Sequence, residues 1–491
     1  MTRYQLFIDN EWVDPHGGQW FDTLDPFSGE AWAEIPRGDA TDADRAVSAA
    51  ARAFEGPWSR LSASDRGMLL YRLGALIERD AQRLADVERR DNGKLAADVL
   101  GQMRYMAKYF YYYGGLADKI QGVVVPMDRP KVFNYVRYEP MGVVVSITPW
   151  NSSLSLTAWK IAAALCAGNT VVCKPSEYTS ASLFEFAKLV AEAGLPPGVF
   201  NVVTGFGHEV GEPLVRHPLV QRIAFTGGDE AGRRIYKMAA EGLKRVSLEL
   251  GGKSPNIVFD DADLDQAVHG ALSGVFSATG QTCVAGSRLL LQESIHDEFV
   301  ERIVALTQAA QIGDPADPRT QIGPITTRPQ FDKVMSYIAI ARGEGARCVA
   351  GGQALSGPGY GAGQFVQPTI FVDVTNDMRI AQEEVFGPVL SVLKFRDEDD
   401  AIRIANDIRF GLAAGVWTQS LHRAMTMTER LRAGTVWVNN YRSSSYTTPF
   451  GGFKDSGIGR EGGADAVREY MEPKSVWIST DLKMANPFGR K

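Results

Sequence analysis

The sequence predicts an α/β protein of two units, each built around a largely parallel sheet. Three observations carry that prediction. From about residue 140, short apolar runs alternate with helix-length stretches. The first of them, residues 143–147, is a continuous β-branched run, as a strand covered on both sides should be. The same alternation resumes from residue 262 in a second stretch of similar size. A chain of 491 residues also exceeds what one hydrophobic core serves, so more than one domain is expected.

Taken in order, residues 62–90 read as an amphipathic helix, or two. Leu69, Leu70, Leu73, Leu76 and Ile77 fall at helical spacing, and Asn92-Gly93 supplies the stop. Residues 143–147 form the first buried strand, 159–167 a helix and 170–173 a second strand. Residues 180–193 are a helix closed by Gly194, with Pro196 beyond. Strands follow at 200–203 and 222–225, then a helix from about Asp229. This rhythm implies right-handed βαβ crossovers. The second unit reads as helix 262–278, strand 288–292, helix 297–310, strands 365–374 and 389–395, and helix 398–407. Segments 119–138 and 474–480 are strand-like and belong to neither unit. They are expected to pair as arms, with a partner subunit as the natural recipient.

Composition excludes several classes. The chain has 52 basic and 58 acidic residues, a formal charge of −6, where a nucleic-acid binder would carry a basic surplus. Basic pairs such as Arg89-Arg90 and Arg233-Arg234 read as solvated helix faces. No run reaches the roughly 18–20 apolar residues that span a bilayer, so no membrane partner is expected. The opening MTRYQLFIDNEW does not read as a signal peptide, and a cytoplasmic location is expected. Four scattered cysteines (Cys166, Cys173, Cys283 and Cys348), with no CxxC pair and no histidine at ligand spacing, argue against a metal site or a disulfide framework.

Four local patterns could carry chemistry. Cys283, in Gly280-Gln281-Thr282-Cys283, sits among small and polar residues after a helix, where a reactive thiol can be presented. The other three cysteines have apolar, regular flanks and read as small core residues. Glu249 ends an alternating strand pattern before Gly251-Gly252, so it can face a cleft as a general base; a solvated strand end is the bland alternative. Asn151, in Thr148-Pro149-Trp150-Asn151, follows the 143–147 strand, and ligands collect at strand carboxyl ends. Its amide could donate to an oxyanion. Phe225-Thr226-Gly227-Gly228 leads into a helix whose first amides would suit a pyrophosphate, with Gly232 in its first turn. Gly205, Gly207 and Gly211 miss the GxGxxG spacing, since the third glycine is one place late.

Each pattern is weak alone. In order, however, FIDNEWV, DPFSGE, EPMGVVVSITPWN, KPSE, FTGG, LELGGK, GQTC, EEVFGPV and PFGGFKDSGIGRE resemble the aldehyde dehydrogenase superfamily over nearly the whole chain. Cys283 follows Glu249 by 34 positions, as in that family. The resemblance implies a Rossmann-like cofactor domain (1–118 and 140–250) and a catalytic α/β domain (251–455). A small β oligomerisation arm and tail (119–139 and 456–491) complete it, with assembly into a homodimer or homotetramer. It implies Cys283 as nucleophile, Glu249 as general base and Asn151 as oxyanion donor with the Cys283 amide, and a proton relay of Lys160 and Glu461. For the cofactor it implies contacts from Trp150, Lys174, Glu177, Gly227, Gly228, Gly232, Glu384 and Phe386. Glu177 would repel a 2′-phosphate, so NAD is favoured, although some relatives with this acid also use NADP. Two departures bear on this: Gly228 replaces a helix-capping Ser and Asp229 a Thr.

By the same resemblance, a small-molecule aldehyde would meet Ser152, Leu156, Trp159, Ser277, Thr282, Val284, Arg442, Ser444 and Phe450. Serines at 152, 277 and 444 stand where some relatives have aromatic residues, so a bulky, aromatic or polar aldehyde is expected. Arg442 could draw a carboxylate, as in a semialdehyde acid, or could be a solvated loop residue. A CoA-acylating enzyme is disfavoured because that branch lacks the acid at Glu249. A catalytically idle scaffold is disfavoured by the joint presence of Cys283, Glu249 and Asn151. A cysteine hydrolase would need a Cys–His couple, and no histidine sits in such a motif.

Overall fold

The computed structural model describes residues 1–481 and 486–489. Two large sheets organise it. The first has eight strands in the order Gly457–Ile458, Arg245–Glu249, Val220–Thr226, Val143–Ile147, Thr170–Lys174, Phe200–Val202, Leu6–Ile8 and Glu11–Val13. Its five central strands are parallel and its flanking strands antiparallel. The second has seven strands, in the order Arg347–Ala350, Thr369–Val372, Val389–Phe395, Arg288–Gln292, Pro255–Val258, Ala413–Trp417 and Thr435–Val438. All five residues of Val143–Ile147 and of Thr170–Lys174 are buried, as β-branched runs without a polar face require. The chain passes from the first sheet to the second between Glu249 and Pro255, and returns to the first at Gly457.

The 62–90 region folds as two helices, Ala63–Arg79 and Ala81–Asn92, the second ended by Gly93 in the left-handed region. The Ser153–Ala167 helix starts earlier than the apolar pattern indicates, because its first turn carries serines and a threonine that hide the period. Gly168 and Gly194 close their helices with left-handed φ.

Two expectations need correction. Residues 365–374 are not one strand: Phe365–Val366 pairs with Ala354–Leu355, while Thr369–Val372 joins the second large sheet. Gln367-Pro368 separates them, and Pro368 has no N–H to continue a ladder. The arm segments find each other within the chain. Val132–Pro140 pairs along its whole length with Met471–Ser479, and Val123–Val125 adds a third strand. Residues 482–485 and 490–491 of the expected tail lie outside the described residues. No helix among the described residues is long and apolar enough to cross a membrane.

Candidate active site

Strand register brings the motifs together. In the first sheet Ile147 is opposite Lys174 and Phe225, and Thr226 is opposite Glu249. The turns that follow, Thr148–Asn151, Pro175–Glu177, Gly227-Gly228 and Leu250–Lys253, therefore leave one edge of the sheet side by side. In the second sheet the relevant residues precede their strands: Cys283 lies before Arg288–Gln292, and Glu384 before Val389–Phe395. The carboxyl ends of one sheet thus face the amino ends of the other. The Gly252 amide donates to Glu384 Oε1 at 3.0 Å across that gap.

The Cys283 loop is held rigidly. After the Leu264–Phe276 helix, Ala278, Thr279 and Gly280 all adopt positive φ (54°, 55° and 69°), a conformation costly for the first two. Tertiary bonds hold it there. Thr279 Oγ1 donates to the Gly323 carbonyl, Gln281 Nε2 donates to the Pro324 carbonyl, and the Thr326 amide donates to Gln281 Oε1. At Gly280 a Cβ would stand 2.0 Å from the Gly387 carbonyl oxygen. We expect Gly280→Ala to lower unfolding free energy by about 2–4 kcal/mol, read as a shifted denaturant midpoint. An unchanged midpoint would mean that the loop relaxes freely.

Cys283 emerges half-buried, with Asn151 beside it: Asn151 Nδ2 donates to the Gln281 carbonyl at 3.0 Å, leaving a second amide hydrogen. Burial, reinforced by the carboxylates of Glu384 and Glu249, pushes the Cys283 thiol up to about 12. Glu249 is 4% exposed, and neither of its oxygens has a hydrogen-bond partner. Burial, then the charge of Glu461, raises its carboxyl well above the usual range. Lys160 and Glu461 form a buried ion pair behind it. Glu461 is placed by a two-way backbone bridge to Phe450, and Leu250 N–H bonds to the Ser456 carbonyl.

Two cavities meet at these groups, and a third continues from the smaller of them. One of about 560 Å³ holds Asn151, Glu249, Cys283 and Glu461 at its inner end, and is walled by Met106, Tyr109, Leu156, Trp159, Val284 and Phe450. A second, of about 160 Å³, shares Asn151, Thr226, Glu249 and Cys283 with it, and adds Trp150, Gly227, Gly228, Glu384 and Phe386. A third, of about 460 Å³, shares Trp150, Gly227 and Gly228 and ends at Lys174, Ser176 and Glu177. A path therefore runs from Glu177 past Cys283 to the first cavity's mouth. A profile of the Aldehyde dehydrogenase family matches residues 12–476.

The chain belongs to the aldehyde dehydrogenase family. It is 47% identical over 491 residues, 99% of each chain, to (Z)-2-((N-methylformamido)methylene)-5-hydroxybutyrolactone dehydrogenase of Acinetobacter baylyi. It is 46% identical over 483 residues to Aldehyde dehydrogenase 1A1 of Gallus gallus, covering 98% of this chain and 94% of the relative. The NAD⁺ complex of betaine aldehyde dehydrogenase from Staphylococcus aureus superimposes with TM-score 0.98 at 38% identity, covering 99% of this chain and 97% of that one. The NAD⁺ complex of an aldehyde dehydrogenase from Bacillus cereus gives TM-score 0.95 at 42% identity, with 98% and 97% covered. As a member of this family the protein is an oxidoreductase that converts aldehydes to acids.

Within this aldehyde dehydrogenase, eight of the nine residues expected at the substrate lie on the largest cavity: Ser152, Leu156, Trp159, Thr282, Val284, Arg442, Ser444 and Phe450. Ser277 does not. It opens the turn after the Leu264–Phe276 helix and stays off the cavity wall, because the left-handed turn behind it swings the chain away before Thr282. Gly227 and Gly228 line the cleft that ends at Glu177, but Gly232 faces the sheet instead. A Cβ there would come 2.4 Å from Leu250 Cδ2, so that glycine permits helix–strand packing. Trp150 and Phe386 meet edge to face at 5.3 Å. Gln330 Nε2 donates to the Val385 and Phe386 carbonyls and holds Phe386 at positive φ. Asp229 turns outward: its carboxylate pairs with Arg409 at 2.8 Å and does not line the cleft.

Sequence reasoning missed a group on the far wall. Asp98, Gln102, Tyr105 and Tyr109, from the Ala96–Leu116 helix, line the cavity. Lys94, just after the Asn92-Gly93 stop, is 6% exposed and donates to Ser152 Oγ. The available signal was a lysine directly behind a helix stop and a tyrosine-rich helix, neither of which points to a site by itself.

Proposed function

We propose that the dehydrogenase oxidises its aldehyde with NAD through a thioester on Cys283, which water activated by Glu249 then hydrolyses. The observation that carries this reading is that the cavities of about 560 and 160 Å³ share Cys283, Glu249 and Asn151 on their walls, with the cleft from Lys174 and Glu177 continuing from the smaller one. Cys283 Sγ attacks the aldehyde carbon, and the oxyanion is held by the free Asn151 amide hydrogen and the Cys283 backbone amide. Bound NAD supplies the hydride acceptor that leaves the acyl group on sulfur as a thioester. Glu249 takes a proton from water as its oxygen attacks the acyl carbon, and Cys283 departs as the thiolate. The Lys160–Glu461 pair beside Glu249 would carry that proton onward.

The residues of the cofactor-side cleft fit NAD. Gly228 has open space around it and starts the Asp229–Glu241 helix, whose first amides can face a pyrophosphate. Lys174, only 4% exposed, and Glu177 stand together at the cleft's end, an ammonium and a carboxylate suited to ribose hydroxyls. Glu177 disfavours a 2′-phosphate, which supports NAD over NADP. In this reading residues 1–118 and 140–250 carry the cofactor and 251–455 the nucleophile. The large, aromatic-walled cavity supports a bulky aldehyde. Exposed Val123, Val124 and Trp477 on the arm sheet support assembly into a homodimer or homotetramer. Four free thiols support a reducing, cytoplasmic setting.

The test is turnover with NAD and no CoA, following NADH and the acid product. Equal amounts of NADH and free acid, unchanged on adding CoA, are expected. Dependence on CoA, with a CoA thioester as product, would replace this reading with the acylating one. No turnover despite NAD binding would favour an idle scaffold.

A further inference from the structure

The main cavity is apolar over most of its wall, yet two cations stand on one side of it. Arg442 lines the cavity, and its Nη1 donates to the Ser273 carbonyl at 3.1 Å. Lys94 is buried behind the wall and reaches the cavity through Ser152 Oγ. Among the described residues neither forms an ion pair.

Glu88 and Asp98 act on these cations through space, but neither carboxylate comes within ion-pair distance of either one. Asp98 lines the same cavity and is the free acid nearest in sequence. Glu88 accepts from Ser182 Oγ, Asn92 Nδ2 and the Leu154 amide. Asp91 accepts from Thr23 Oγ1 and the Ala181 amide. Burial pulls the Lys94 ammonium down to about 8, with Glu88 opposing the fall and Arg442 adding to it. Two like charges in a poorly solvated wall repel, and an anion between them would relieve both.

Arg442 is also held in place. Tyr441 OH donates to the Val284 carbonyl, one residue beyond Cys283. Trp437 Nε1 donates to the Ser443 carbonyl, and Asn440 Nδ2 to Ser443 Oγ. These bonds fix Arg442 at a left-handed φ of 64°. A solvated loop arginine would not need such a frame.

We propose that this cavity selects an aldehyde bearing a carboxylate remote from the carbonyl, with the carboxylate lodged between Arg442 and the Lys94–Ser152 pair. The apolar wall holds the body of the molecule while Cys283 meets the aldehyde carbon. This rests on the reading of Cys283 as the nucleophile in this cavity.

The test compares para-carboxybenzaldehyde with its methyl ester, para-formylbenzoate methyl ester, which share one skeleton. The expected result is a kcat/KM ratio of at least about tenfold in favour of the acid for the wild type. That ratio should fall by about tenfold in Arg442→Gln and, where it folds, in Lys94→Met. A wild-type ratio near one, or a ratio that neither variant moves, overturns the proposal. Calorimetry with para-(hydroxymethyl)benzoate and its methyl ester reads the anion site without chemistry. Tighter binding of the acid, lost in Arg442→Gln, upholds the site even if neither aldehyde turns over, in which case the thioester reading fails instead. Turnover of both aldehydes with equal binding of both alcohols overturns the anion site and leaves that reading standing.

Discussion

Replacing Cys283 with alanine is expected to cut kcat/KM by about 10⁴-fold or more, on the order of 5 kcal/mol of transition-state stabilisation. The size follows from position. Cys283 is the one cysteine on the wall shared by the substrate cavity and the passage towards Glu177. Cys166 and Cys173 are buried in the first sheet's core, where burial pushes their thiols up. NAD binding, measured by fluorescence, should survive the substitution, because the cleft at Lys174 and Glu177 does not contain the sulfur. A variant that kept more than about a tenth of wild-type turnover would remove Cys283 from the mechanism.

Glu249→Gln should behave differently. Loss of a general base costs about 10²- to 10⁴-fold, but only in the step that needs it. The first turnover should still release close to one NADH per site, after which the enzyme stalls with an acyl group on Cys283 that mass spectrometry can weigh. Gln keeps the shape, and no neighbour depends on the carboxylate, since neither of its oxygens is hydrogen-bonded. Steady turnover without a burst would assign the base elsewhere. The pH response follows from the same surroundings. Burial pushes both Glu249 and Cys283 towards their protonated forms, and in the proposed mechanism each acts after losing its proton. The wild-type rate should therefore climb as pH rises above neutrality. In Glu249→Gln the burst should keep a climb that belongs to Cys283 alone.

Much of the site was legible because its residues sit at strand ends in contiguous motifs. Val143–Ile147, Thr170–Lys174, Val220–Thr226 and Arg245–Glu249 are strongly patterned, and the motif after each leaves the sheet at the same edge. What was not legible depends on distant contacts. Nothing local says that Gly232 packs on Leu250, or that the turn after Phe276 carries Ser277 away from the cavity. Lys94 is separated from Ser152 by a whole helix and three strands, so its place at the wall exists only after folding. The pairing of the arm was illegible for a related reason. Alternation announces a strand but does not name its partner, and here the partner is the chain's own last strand, more than 300 residues away.

The return of the chain from the second sheet to the first has a consequence for synthesis. Gly457–Ile458 adds the edge strand beside Arg245–Glu249, pairing directly with Leu248 and Glu249, and Glu461 follows to meet Lys160. The ribosome makes Glu249 nearly half a chain before the strand that locks it. The first sheet can collapse early around its parallel centre, but until residues near 460 have emerged its Glu249 edge is an open strand without its last partner. A chain that stalls or is clipped near residue 450 would thus be unfinished at its centre, with an unpaired edge at Glu249.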